Sequence, residues 1–519
     1  MEKLDYPVST ANFERIRTEG FVYVDKTPYI YSLVSKSGFY FLSRPRRFGK
    51  SLLLSTIESY FLGKKDLFKG LAIYNLKSGE WLSYPVLHLD LSGKAYVDKN
   101  SLTSLLDMHL QAWETEYGIS NPRQAVDERF NVVIETVAAK SGKKIVVLVD
   151  EYDSPLSDSI GNEELQELFR DQLHGFYSVL KKTEKHIQFC MLTGVTKFGK
   201  VSVFSGLNNL RDISLENKYA AICGITEDEL HKYFMTGIEE LADVEGWDVK
   251  ETLERLKFNY DGYHFSKSLL DVYNPYSVMN ALAKQEIADY WCASGMPTLL
   301  SKSLRNTDYN LEKLNGIMVS NQMLGNLSVY QTEPVALFYQ TGYLTIKSYD
   351  RSTNLFTLGY PNREVERGIL GDILKLYVPD YGDVNVAITL MRESLKRGEP
   401  DKFIDQLKAF LAGIPSKLRT RIAQYENYYH TIFYCIASLI GLDVSVEYNT
   451  SEGFIDLLIR TSRYIYIIEL KINGNAESAI QQIADKHYAH PFIIDTRHLY
   501  KIGIGFSKET HNIDSFIIA

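Results

Sequence analysis

Lys50 and Ser51 follow Gly49 just after an apolar, strand-like run, Phe39–Leu42, and they open an amphipathic stretch that begins at Leu52. Strand, short loop and helix N-terminus in that order make a phosphate site, because unbonded backbone N–H groups and the helix dipole favour an anion there. In this reading Lys50 reaches the β- and γ-phosphates of ATP, Ser51 binds the accompanying Mg2+, and Phe48 and Gly49 complete the loop. Arg44 stands where the full phosphate-loop pattern has its first glycine. Arg44, Arg46 and Arg47 would bring three guanidinium groups beside the phosphates, each suited to bidentate contact; a solvated basic loop accounts for them as well. Asp150 ends the apolar run Ile145–Val149 and would hold the magnesium water shell opposite Ser51. Glu151 would polarise a water for attack on the γ-phosphate, although an Asp-Glu pair is also an ordinary strand end. Thr193 or Thr196, after the next strand, would sense the γ-phosphate or serve as plain turn residues.

A second group of chemistry-bearing residues lies near the C-terminus. The runs Phe454–Ile459 and Tyr464–Lys471 read as a hairpin, and a register that sets Asp456 opposite Glu469 puts Lys471 on the same sheet face. Facing carboxylates repel unless a cation lies between them. Mg2+ bound by Asp456 and Glu469, with Lys471 positioning or deprotonating a water, would make a hydrolytic site for a phosphodiester. Glu426 would add a metal contact, and Gln481 or Gln482 on the next helix would either hydrogen-bond to this face or simply be exposed. A hairpin with a Glu–Lys pair at a solvated edge is the plainer alternative.

The elements that must carry these groups follow from periodicity. The spacing predicts a short strand near Phe21–Val24, a helix from Leu53 through Phe61, a strand at Val86–Leu91 and helices near 102–116, 122–140 and 163–182. It also predicts strands at Ile145–Val149 and His186–Gly194. Strands alternating with helices mean an α/β domain with a mainly parallel sheet. Thr226-Glu-Asp-Glu229 is a capping box that opens a helical region, which ends in a hairpin pairing Gly342–Lys347 with Leu355–Leu358. After a helix near 425–441, the last part adds a strand at Val444–Tyr448, the hairpin, a helix at Ala476–Tyr488 and a strand at Phe492–Asp495. The expected domains are 1–224, a P-loop NTPase domain; 225–380, a helical, winged-helix-like lid; and 381–519, an α/β restriction-endonuclease-like domain.

With 519 residues the chain exceeds a single core. The formal net charge of −8 gives no global basic signal, so nucleic-acid binding would need a local patch. No apolar run approaches membrane-spanning length and the first residues lack an apolar leader segment, which points to a cytoplasmic protein. The scattered Cys190, Cys223, Cys292 and Cys435 suit a reducing compartment.

Four stretches carry a family likeness: Tyr23–Thr27, Arg44–Ser51, Val147–Asp153, and Leu192–Thr196 leading to Phe204–Leu210. With Gly453–Tyr488 added, the chain resembles bacterial AAA-ATPase-like proteins with a C-terminal PD-(D/E)XK nuclease-like domain. The resemblance implies that Arg44 is the family's own variant of the loop, and it implies a winged-helix-like middle, ATP and Mg2+ as ligands, and a bacterial, cytoplasmic setting. One departure stands out: such modules often read Gly-Arg-x-Asp, whereas this chain has Gly453-Phe454-Ile455-Asp456. Two functions emerge: an ATP-hydrolysing protein coupled to a magnesium-dependent nuclease acting on DNA or RNA, or a nucleotide-gated interaction protein whose C-terminal domain binds and does not cut. Either is compatible with a homo-oligomer.

Overall fold

Strands β1 (Gly38–Ser43), β2 (Val86–Asp90), β3 (Ile145–Asp150), β4 (Ile187–Gly194) and β5 (Leu210–Asp212) form one sheet in the order β2-β3-β4-β1-β5. Every pairing in it is parallel. The computed structural model describes residues 5–77, 79–120, 125–197, 203–294, 300, 314–325, 334–377, 384–413, 427–472, 474–507, 510 and 512–519. It divides into two compact units, with the boundary between Glu366 and Arg367. The first unit runs through residue 224 and contains both the parallel sheet and the helical middle region.

The sheet forms because its strands are apolar on both faces. β3 is buried at every position, and β1 at its four central ones. Parallel strands need crossover connections, supplied here by helices Lys50–Phe61, Ser101–Glu116, Val126–Ser141 and Glu163–Lys182. The last of these is fully marked in sequence: the Asn162 side chain accepts from the Leu165 N–H, Glu163 and Glu164 open the helix, and Lys181 and Lys182 close it. The strand expected near Phe21–Val24 does not form. Its backbone is engaged in local contacts instead: Val22 N–H donates to the Asp5 carbonyl (3.0 Å) and Phe21 N–H to that of Ile16 (3.1 Å). Just beyond, the Asp25 carboxylate takes the N–H groups of Thr27 (3.0 Å) and Ala72 (2.7 Å).

In the middle region the capping box is present in both directions: Glu229 N–H donates to Thr226 Oγ1 (3.3 Å), and Thr226 N–H to Glu229 Oε2 (2.8 Å). The same carboxylate receives Lys26 Nζ at 2.6 Å in a largely buried ion pair. Helices Glu227–Glu245, Val249–Tyr260 and Pro275–Lys284 lead to a three-stranded sheet, β6 (Ile317–Ser320), β7 (Thr345–Asp350) and β8 (Leu355–Gly359), in the order β6-β8-β7. β7 and β8 are the expected hairpin.

Asp261, at the end of helix Val249–Tyr260, is buried. Burial pushes its carboxyl up to about 7, against the opposing pull of the Gly262 N–H and Lys257. The folded chain therefore keeps a proton that the unfolded chain, with a carboxyl near 3.8, has released. The stability this group contributes is complete below the unfolded value and is lost as pH rises through the folded one. Asp261→Asn is expected to raise the thermal midpoint by about 2–4 °C at about pH 8 and to leave it unchanged near about pH 4; differential scanning calorimetry at both values checks this.

The second unit is a mixed sheet, β13-β12-β11-β10-β9, built from β9 (Asp443–Thr450), β10 (Gly453–Arg460), β11 (Tyr464–Ile472), β12 (His498–Ser507) and β13 (Asn512–Ile518). Leu457, Ile468, Leu470 and Ile504 meet helices Pro400–Ala412 and Asn427–Ile440 on one face. On the other, Leu458, Ile465 and Ile467 meet Ile483 of helix Ala476–Asp485. That helix lies close to β12 because Gly503 lacks a side chain; a Cβ there would stand 2.6 Å from the Ala476 carbonyl oxygen.

The strand expected at Phe492–Asp495 is absent. His490–Phe492 is a single 3₁₀ turn, Ile493 and Ile494 are exposed, and Asp495 Oδ1 accepts the Arg497 N–H at 3.0 Å in a tight turn. The strand comes immediately afterwards, as β12.

Candidate active sites

The phosphate loop is assembled where β1 ends. Gly49 adopts φ +93°, a left-handed conformation that only glycine enters without strain, and it caps the helix Lys50–Phe61. Gly49 and Ser51 are exposed at this N-terminus. Arg47 also has positive φ (66°), and so does Glu151 (50°), so both candidate sides of the site hold strained non-glycine residues. A cavity of about 520 Å³ opens here, lined by Arg47, Phe48, Gly49, Lys50, Ser51 and Glu151. Its far wall is apolar and includes Val8, Val24, Ile225 and Met279.

Lys50 is buried, and its ammonium donates to the carbonyl oxygens of Arg44 (3.0 Å) and Pro45 (3.1 Å). Phe48 is packed edge-on against Tyr263 and Phe265, with ring centres 4.7 and 5.2 Å away. Arg47 reaches the cavity, but its Nη1 donates to the carbonyls of Tyr290 (3.1 Å) and Trp291 (3.3 Å), and its guanidinium lies 4.0 Å from the Tyr276 ring centre.

Arg44 is the residue the structure does not bring to the cavity. Its side chain is 2% exposed, Nη1 donates to the carbonyls of Ser43 and Ser214, Nη2 to that of Tyr219, and the guanidinium sits over Phe265. The expectation of a guanidinium beside the phosphates is corrected for this residue. Its donors fasten the end of β1 to the segment that follows β5.

Asp150 ends β3 and is buried. One strand, β4, separates it from the phosphate loop. Thr193 Oγ1, on β4, donates to Asp150 Oδ1, and so does the Glu151 N–H (3.0 Å). Glu151 lines the cavity and receives Ser154 Oγ at 3.1 Å. Burial raises its carboxyl above the ordinary value, while the Lys50 charge pulls it back. Sequence reasoning passed over Asp153. It is buried and accepts from the N–H groups of Val195 (3.1 Å) and Thr196 (2.6 Å) and from Thr196 Oγ1 (2.6 Å). Asp153 thus holds the turn after β4 as Asp150 holds its last residues. The signal was the repeated acid in Val149-Asp-Glu-Tyr-Asp153, three positions apart where the chain turns.

In the second unit the hairpin has the expected register: Leu457 pairs with Ile468, and Leu458 with Ile467. Just beyond, side chains replace ladder bonds. Asp456 Oδ2 accepts the Leu470 N–H at 2.7 Å, while the Asp456 N–H donates to the Glu469 carboxylate. Glu469 is 1% exposed; burial, then the Asp456 charge, pushes its carboxyl up to about 7, and Lys471 opposes this. Lys471 Nζ stands 3.3 Å from Glu469 Oε1, and Gln482 bonds to both of them. The other carboxylate oxygen, Glu469 Oε2, is buried with no hydrogen-bond partner.

Asp456, Glu469, Lys471 and Gln482 are therefore brought together. A buried acceptor without a donor, beside a second carboxylate, fits a hard divalent cation, which takes oxygen ligands and keeps several waters. Among the described residues no group of three or more His, Cys, Asp or Glu converges for a metal, so the pair would act with water. Glu426 lies outside the described residues.

Residues 7–204 match a family described as a predicted AAA-ATPase, and residues 424–516 match the PD-(D/E)XK nuclease superfamily. Over 528 aligned positions the chain is 33% identical to an uncharacterised protein in the vnfD 5′ region of Azotobacter chroococcum mcd 1, covering 100% of this chain and 99% of that one. No helix among the described residues is long and apolar enough to cross a membrane. The chain belongs to the family of that relative, and its two matched segments make it an AAA-ATPase-like protein with a C-terminal PD-(D/E)XK nuclease-like domain.

Proposed function

We propose that this protein binds and hydrolyses ATP in its first unit and cleaves nucleic acid with the help of Mg2+ in its second. The observation that carries the reading is the cavity at the end of β1, which collects Lys50, Ser51 and Glu151 around an exposed helix N-terminus. There Lys50 and the backbone N–H groups of the loop bind the phosphate chain. Ser51 and Asp150 provide oxygens for the magnesium that accompanies it, and Glu151 takes a proton from the attacking water. Arg47 and Arg46 lie at the cavity mouth and add positive charge.

In the second unit Asp456 and Glu469 would hold the cation, which when bound polarises the scissile phosphate and lowers the pKa of a water. Lys471 orients the water and Gln482 fixes Lys471 and Glu469 relative to each other. Cytoplasmic location and self-association in the manner of other AAA-type proteins belong to the same proposal.

Glu151→Gln separates the steps of the first site. Hydrolysis is expected to fall about 10²–10⁴-fold, the usual worth of a positioned general base, while ATP affinity stays within about threefold of the parent. Phosphate release and equilibrium nucleotide binding measure the two. Unchanged turnover would remove Glu151 from the mechanism.

A further inference from the structure

Asp261 is 2% exposed, and neither of its carboxylate oxygens has a full hydrogen bond. The adjoining Gly262 N–H pulls on the group without reaching bonding geometry, and Lys257 Nζ stands 3.8 Å from Oδ2. This side chain lines a cleft of about 380 Å³ that lies wholly in the first unit and shares no lining residue with the nucleotide cavity. Its walls are the end of helix Val249–Tyr260, the Asp271 segment, Asn315 and the residues that open helix Arg363–Tyr377. The walls are fixed to one another. Asn362 Nδ2 donates to the Asp261 carbonyl (2.8 Å), Lys347 Nζ donates to that of Pro361 (3.1 Å), and a Cβ on Gly262 would collide with the Pro361 carbonyl oxygen.

The other charges of the cleft are already matched. His264 Nε2 lies 2.6 Å from Asp271 Oδ1, Arg363 Nη1 donates to Glu366 (2.9 Å), and Lys257 is shared with Glu227 at 3.5 Å. What is left is a buried carboxylate with two open acceptors, a state that costs free energy until a donor arrives. The Phe258 ring lines the same cleft and is 65% exposed. A carboxylate fork and an aromatic face together suit a planar cation. Guanidinium offers two parallel N–H groups to the fork, is weakly hydrated and stacks on rings, whereas an ammonium is a strongly hydrated point charge. A metal ion fits less well, because among the described residues no three His, Cys, Asp or Glu side chains converge.

We propose that this cleft binds a guanidinium group, carried either by a free small molecule or by an arginine side chain of a polypeptide. Asp261 takes the two N–H groups and Phe258 covers one face of the plane. The test is a saturation-transfer NMR titration on the full chain. The probes are Nα-acetyl-arginine amide, free L-arginine, Nα-acetyl-lysine amide and magnesium chloride.

The parent protein is expected to bind the capped arginine saturably and about tenfold or more tighter than the capped lysine. Asp261→Asn should lose about tenfold or more of that affinity and the preference with it. This variant keeps the shape of the side chain and is expected to be no less stable than the parent, so lost binding is not lost folding. Phe258→Ala, at an exposed position, should cost about two- to fivefold. Free L-arginine binding at least as tightly as the capped form supports a small-molecule occupant; clearly weaker binding supports an arginine within a polypeptide. No saturable binding of either arginine form overturns the proposal, and so does equal affinity for the capped lysine. Parental affinity in Asp261→Asn, or displacement of the arginine probe by magnesium at equal concentration, overturns it too.

Discussion

Replacing Lys50 by alanine is expected to reduce ATP turnover by about 10²–10³-fold or more, the range for removing a principal electrostatic donor from a site where charge develops. The geometry explains why this residue should be so sensitive. Its ammonium is buried and is held over the loop by the Arg44 and Pro45 carbonyls, so it is already pre-positioned at the helix N-terminus. Neither Arg46 nor Arg47 is placed to substitute: both are exposed, and Arg47 is occupied with the Tyr290 and Trp291 carbonyls. ATP affinity should weaken as well, since the same charge meets the ground-state phosphates. A malachite-green assay with a parallel binding titration distinguishes the two effects; a variant with parental turnover would refute the loop as the phosphate site.

The second large effect is expected at the carboxylate pair. Asp456→Asn and Lys471→Ala should each lower magnesium-dependent cleavage by about 10²–10³-fold or more. The asparagine variant is chosen because its side-chain oxygen can still accept the Leu470 N–H, so loss of cleavage with an unchanged thermal midpoint separates chemistry from folding. Lys471→Ala leaves both carboxylates in place and removes the nearby ammonium. The substrates are supercoiled DNA, linear duplex, single strands and RNA, each with and without ATP. Cleavage that survives in Asp456→Asn would place the activity elsewhere, and a parent that cuts none of the four would favour a domain that binds without cutting.

Much of this was readable from residue order, where each local signal had a single physical meaning. The buried run Ile145–Val149 has no polar face and must be a central strand. The hairpin register followed from the demand that Asp456, Glu469 and Lys471 share a side, and Leu457 opposite Ile468 agrees with it. Helix Glu163–Lys182 was bounded by its own caps and end charges.

The failures share a different cause. Phe492–Asp495 is as apolar as a strand, yet His490-Pro491 starts a turn and Asp495 closes another, leaving two isoleucines in water. β12 was overlooked because Lys501, Gly503 and Gly505 dilute its apolar pattern; those glycines are there for the helix packed against them, which only the tertiary structure reveals. Arg44 was misplaced for a similar reason. A guanidinium next to a phosphate loop suggests an anion, but its actual partners are carbonyl oxygens of residues 43, 214 and 219, and backbone acceptors leave no mark in sequence.

The position of β4 has one more consequence. Because that strand lies between β1 and β3, the phosphate loop and the acidic strand end are two inter-strand steps apart, roughly 9.5 Å. β4 works as a fixed gauge: its width cannot change, and its parallel register, Ser43 beside Gly194, sets where Thr193 stands along the gap. A one-residue slip would turn Thr193 away from Asp150 and bring a different side chain to that place. The dimensions of the first site are thus fixed by the least conspicuous strand in the sheet, and tolerance to insertion should be lowest there.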